Sequence, residues 1–173
     1  MVTDGTAGEA AAETARVLEL LVDGGATVSV AESLTGGLIG ATLTAPAGAS
    51  AAFRGGVVAY ATDLKAALLG VPVDLLAREG AVHPDVAAAM ARGVRELTRS
   101  DYGLAVTGVA GPDPQDGRPV GTVHIALAGP ENRIRHRDIV LDGGRDQIRQ
   151  GTCRAALSLL RGVLEANMGE HSG

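Results

Sequence analysis

The chain has 173 residues, 46% of them hydrophobic and 20% charged, which suits one domain with a substantial core. A net charge of -5 offers no basic field to DNA, RNA or an anionic membrane, and 2% aromatics leave little for base stacking. The core must therefore be built from Ala, Val, Leu and Ile. Cys153 is the single cysteine, so no disulfide forms within the chain, which fits a reducing cytoplasm. Met1 to Glu9 lack the basic and apolar regions of a signal peptide. No apolar run reaches the roughly 20 residues of a membrane helix. The expected location is cytoplasmic.

Ala10, Ala11, Thr14, Val17, Leu18 and Leu21 share one helical face and predict a helix over 8–23, stopped by Gly24-Gly25. Thr27 to Val30 reads as a strand. Glu32 to Gly37 reads as a turn, and Leu38 to Leu43 begins a second helix, broken by Pro46 to Ser50. Gly55 to Tyr60 is a second strand, and Asp63–Leu69 and Val73–Glu79 are short helices. Pro84 suits the first position of the next helix, whose expected buried stripe is Val86, Met90, Val94 and Leu97. Tyr102 to Val106 is a strand entering the glycine loop Thr107-Gly-Val-Ala-Gly111-Pro112, followed by a polar loop over 113–118. Gly121–Leu127 and Ile134–Leu141 predict an antiparallel pair. A last helix over 146–164 faces Ile148, Ala155, Ala156, Leu159, Leu160 and Val163 inward, with fraying from Asn167. Helices alternating with strands, then two adjacent strands, predict the α/β class: a single-domain three-layer α/β/α sandwich with a mixed sheet. The domain is expected over 8–165, with flexible ends at 1–7 and 166–173.

Lys65 is the only lysine among fifteen Lys and Arg residues. Lysine can lose its proton on burial and act as a base, whereas arginine stays charged. The plainer alternative is a solvated surface lysine. Ser33, in Ala31-Glu-Ser-Leu-Thr-Gly-Gly37, stands at a strand-to-helix junction, where Ser and Lys can form a nucleophile–base pair. The N–H groups near Thr35, Gly36 and Gly37 could hold an oxyanion. Ser33 could instead be a helix cap, worth about 1 kcal/mol. Tyr60 could hydrogen-bond Ser33 or Lys65, or be a strand residue satisfied locally. The spacing Tyr-x4-Lys and the lack of Gly-x-Gly-x-x-Gly after the first strand disfavour hydride transfer. Thr107, Gly108 and Gly111 belong to a loop that can present N–H groups to an anion. Arg145 could clamp a phosphate or pair with Asp142 or Asp146. His83, His124, His136 and His171 show no metal-ligand spacing, so no metal is expected. His83 reads as a helix-start residue, His124 as a sheet residue and Cys153 as a core residue.

The motifs in combination resemble the CinA C-terminal domain family. They are Ala31-Glu-Ser-Leu-Thr-Gly-Gly37, Val58-Ala-Tyr-Ala-Thr-Asp-Leu-Lys65, Gly80-Ala-Val82, Thr107-Gly-Val-Ala-Gly-Pro-Asp113, Arg118-Pro-Val-Gly-Thr-Val123 and Gly144-Arg-Asp146. The resemblance covers about residues 8–165 and implies a CinA-like fold. It also implies hydrolysis of nicotinamide mononucleotide to nicotinate mononucleotide and ammonia, in pyridine nucleotide recycling, without metal or cofactor. Ser33 would be the nucleophile and Lys65 the base. Tyr60, Thr107 and Arg145 fall on further site positions of the family. The chain departs from the family's common pattern at Leu34, Thr62 and His83 and in Pro114-Gln115-Asp116. Those departures bear on affinity more than on reaction class.

The expected function is therefore amide hydrolysis on a small-molecule nucleotide, by a protein resembling the family's stand-alone form. The alternative is a non-catalytic pyridine-nucleotide-binding module. Neither nucleic acid nor membrane is an expected partner, and a homodimer is the expected assembly.

Overall fold

The computed structural model describes residues 4–171. In chain order the elements are α1 (Asp4–Asp23), β1 (Val28–Glu32), α2 (Leu38–Thr44), β2 (Phe53–Val58), α3 (Thr62–Leu69), α4 (Val73–Glu79), α5 (Pro84–Thr98), β3 (Tyr102–Gly108), β4 (Thr122–Ala128), β5 (Ile134–Val140) and α6 (Arg145–His171). They form one five-stranded sheet in the order β2-β1-β3-β4-β5. β1 pairs in parallel with β2 and β3, while β4 and β5 add on antiparallel. The sheet is mixed, as the sequence predicts.

Period-two alternation sorts the apolar side chains between the two faces. Val28 and Val30 of β1, Leu104 and Val106 of β3 and Ile125 and Leu127 of β4 pack with α1, α2 and α6. Ala31, Ala105, Ala126 and Ala128, on the other face, pack with α3, α4 and α5. β1 and β3 are buried along their whole length, as parallel strands covered on both faces must be. The connection from β1 leads to one side and the connection from β2 crosses back over β1. Right-handed crossovers then place α2 and α5 on opposite faces. The α5 side is lined by small residues, which lets the helix lie close. At Gly103 an added Cβ would stand 2.2 Å from the Ala91 carbonyl oxygen. This close packing is how a core nearly without aromatics fills its interior.

Several boundaries differ from expectation. α1 begins at Asp4 and β2 spans Phe53–Val58 rather than 55–60, whereas α2 starts at Leu38 as expected. α6 continues through Asn167, whose amide donates to the Tyr102 hydroxyl at 2.9 Å. Expectations for residues 1–3 and 172–173 lie outside the described residues. Leu97 is 59% exposed rather than part of the core stripe. Ala87 and Ala91 take the inward positions of α5 beside Val86, Met90 and Val94. In the last turn Thr98 is half-buried, its hydroxyl donating to the Val94 carbonyl.

Candidate active site

Ser33 follows β1, Tyr60 follows β2 and Gly108 ends β3. The three therefore meet at the carboxyl ends of adjacent parallel strands, on either side of the point where the strand order reverses. Crevices at that place are the usual ligand sites of open α/β sheets. A cleft of about 80 Å³ opens there, and its lining includes Ser33, Tyr60, Gly108, Gly111, Asp113 and Arg145. A larger groove of about 650 Å³ lies at the other end of the sheet, beside Tyr102, Arg135 and Asn167. It contains none of the candidate residues, so the smaller cleft is the chemically relevant one.

Lys65, in the middle of α3, reaches back under the β2 end and is only 1% exposed. Its Nζ donates to Ser33 Oγ at 3.1 Å, to the Ala59 carbonyl at 2.7 Å and to the Tyr60 carbonyl at 3.3 Å. Burial lowers its pKa from 10.5 to about 8, against an opposing pull from the Asp116 carboxylate. In the neutral amine, the two carbonyls can absorb the two N–H donors. The lone pair then faces the Ser33 hydroxyl, the arrangement a general base requires. The solvated-lysine alternative does not fit this burial.

Ser33 does not cap α2. Gly36 and Gly37 both have positive φ, 59° and 102°, and they hold a tight loop that delays the helix to Leu38. The Gly36 N–H closes this loop on the Ser33 carbonyl at 3.0 Å. The cap is supplied by Glu32, whose carboxylate accepts the Ile39 and Gly40 N–H groups at 2.9 and 3.0 Å. Glu32 is 1% exposed. The positive end of α2 is thus taken by the protein's own carboxylate. Thr35 is fully buried, and its Oγ1 finds no partner among the described residues.

Tyr60 is 57% exposed, and its hydroxyl accepts from Arg145 Nη2 at 3.0 Å. Its carbonyl, not its hydroxyl, is the group that meets Lys65. Arg145, the first residue of α6, also donates to the Gly111 carbonyl at 2.7 Å. It therefore joins the glycine loop to the β2 end instead of pairing with Asp142 or Asp146. Thr107 Oγ1 donates to the Ala81 carbonyl at 2.8 Å, so this hydroxyl supports the cleft from behind, while Gly108 and Gly111 line it. Asp116 accepts the Ala81 N–H at 2.8 Å.

The other polar candidates lie apart. His83 caps α5, its Nδ1 accepting the Asp85 N–H. His124 pairs with Asp138 across β4 and β5 at 2.7 Å. Cys153 is buried, and burial pushes its thiol pKa up. The sequence reading missed Glu32, Asp116 and Arg149. Arg149 stands four residues after Arg145, and that one-turn spacing on the helix was the available signal.

Residues 10–164 match the family described as the CinA C-terminal domain. The chain belongs to this family. A CinA-like protein from Frankia casuarinae is 56% identical over 148 residues, covering 86% of this chain and 34% of that protein. A CinA-like protein from Gloeobacter violaceus is 53% identical over 144 residues, covering 82% and 34%. The chain thus spans about a third of the length of these curated relatives. Among solved structures, a CinA superfamily protein from Klebsiella pneumoniae aligns with a TM-score of 0.87 at 30% identity, covering 91% of this chain and 98% of that one. A competence/damage-inducible protein from Agrobacterium tumefaciens aligns with a TM-score of 0.87 at 36% identity, covering 95% and 99%. The CinA fold is therefore the fold of this domain.

Proposed function

We propose that this CinA domain is an amidohydrolase that converts nicotinamide mononucleotide to nicotinate mononucleotide and ammonia. The observation that carries the reading is the buried Lys65 amine within hydrogen-bond distance of Ser33 Oγ. Ser33 Oγ attacks the carboxamide carbon while Lys65 takes its proton. The tetrahedral oxyanion is held by backbone N–H groups of the loop after Ser33. Lys65 returns the proton to the leaving nitrogen and ammonia departs, leaving an acyl-enzyme. Water, deprotonated by Lys65, then attacks the acyl carbon, and the proton returns to Ser33 Oγ as nicotinate mononucleotide leaves. Arg145 and the loop from Gly108 to Gly111 suit the phosphate end, since a guanidinium binds phosphate bidentately. The cleft is small, so the rest of the nucleotide would lie over Tyr60, towards solvent.

The supporting features are the paired Ser33 and Lys65, the strand-end cleft and the family membership. No helix among the described residues is long and apolar enough to cross a membrane. The reaction is proposed for the cytoplasm, with the protein as a homodimer.

Purified domain incubated with nicotinamide mononucleotide should release ammonia and nicotinate mononucleotide in equal amounts. Nucleotide that binds and is recovered intact would instead identify a non-catalytic binding module.

A further inference from the structure

α6 presents a second arginine to the Ser33 loop. Arg149 Nε donates to the Leu34 carbonyl at 3.2 Å and Nη2 to the Thr35 carbonyl at 3.0 Å. Two consecutive carbonyls are therefore gripped by one planar fork. A lysine, with its single point charge, does not reproduce that geometry. In a trans peptide the N–H points opposite the C=O. Fixing the Leu34 carbonyl towards Arg149 turns the Thr35 N–H away from it. The Gly36 N–H is already committed to the Ser33 carbonyl, whereas the Thr35 N–H has no partner among the described residues. Leu34 lines the cleft, but Arg149 does not. Arg145, one helical turn earlier, does. The two arginines thus divide the work: one faces the ligand space and the other grips the loop from outside it.

We propose that Arg149 is a positioning residue, which aims the Thr35 N–H at the oxyanion formed when Ser33 is acylated. It acts through the loop and touches no substrate. The inference rests on the reading of Ser33 as the nucleophile, so its test needs a readout independent of nicotinamide mononucleotide. A fluorophosphonate supplies one. Ser33 Oγ attacks phosphorus, fluoride leaves, the serine proton passes to Lys65, and the phosphoryl oxygen needs the same N–H donor.

The experiment compares wild type with Arg149→Lys and Arg149→Met, at a temperature where circular dichroism shows each folded. Turnover should fall roughly 10- to 100-fold in both variants, less than the roughly 100- to 1000-fold for outright loss of an oxyanion donor, because the N–H is misaimed and not removed. The Michaelis constant should stay within about threefold, since uniform binding is untouched. Phosphonylation of Ser33 should slow in step with turnover, and the pH midpoint of the rate should not move. Full turnover in Arg149→Lys would overturn the inference, and so would a raised Michaelis constant with unchanged turnover. An Arg149→Lys protein that never folds would make Arg149 a residue of the fold and overturn it too. If wild type releases no ammonia but is phosphonylated faster than the variants, the substrate reading fails and the positioning role stands. If wild type is neither turned over nor labelled, Ser33 is not a nucleophile and both fall.

Discussion

The Lys65 amine stands 3.1 Å from the Ser33 hydroxyl, and the two residues come from different strand ends, 32 positions apart in the chain. Their meeting depends on the parallel pairing of β1 with β2, which sets Glu32 opposite Val58. The proposed nucleophile and base are thus brought together by sheet register.

Because Ser33 caps nothing, Ser33→Ala should remove activity without unfolding the domain. Ammonia release should fall by about a thousandfold or more, as when other serine nucleophiles are removed. The thermal midpoint should stay within a few degrees of wild type. Measured turnover close to that of wild type would end the Ser-Lys reading.

The rate should follow the neutral fraction of Lys65, rising with pH to half its maximum near 8. Asp116 favours the charged amine, so Asp116→Asn should move this midpoint to lower pH. A profile of turnover against pH for the two proteins checks both statements, and a midpoint moving upward would contradict them.

Lys65→Arg should be nearly as inactive as Lys65→Ala, because a guanidinium does not accept a proton at neutral pH. Stability provides a second check. The folded pKa of about 8 lies below the ordinary value of 10.5, so between these values the unfolded chain holds more protons. Stability should therefore rise with pH across that window, relative to Lys65→Met, by roughly 3 kcal/mol in total. Denaturant titrations at pH 7.5 and 10.5 measure the change, and a flat difference would show that the amine is not desolvated.

Arg145→Ala should raise the Michaelis constant for the mononucleotide more than it lowers turnover, because a phosphate contact is shared by ground and transition states. Nicotinamide riboside, which lacks the phosphate, should be nearly indifferent. Equal losses on both substrates would mean that Arg145 serves only to tie Tyr60 to Gly111.

The local signals in the chain were good guides. Alternation and glycine stops located the strands, and the lone lysine beside a strand end pointed to the pair with Ser33. What local pattern carries poorly is the side-chain partner far along the chain. Arg149 binds carbonyls more than a hundred residues away, and the fold alone makes them neighbours. Tyr60 was legible as a candidate residue, but its hydroxyl bonds to Arg145, and it is its carbonyl that meets Lys65. Gly36 and Gly37 were legible as a turn, and their positive φ angles hold α2 off until Leu38. That delay leaves Ser33 free of a capping role.

The chain contains no tryptophan and only two tyrosines, and these occupy very different places. Tyr60 lies half open at the cleft, bonded to Arg145. Tyr102 is buried at the opposite end of the sheet and bonded to Asn167 of α6. The protein therefore carries two native optical probes with no tryptophan emission to mask them. A ligand entering the cleft perturbs the first, and release of the last turns of α6 perturbs the second. Substituting either tyrosine by phenylalanine leaves the other as a single reporter, so binding at one end and loosening at the other can be followed separately, without a label.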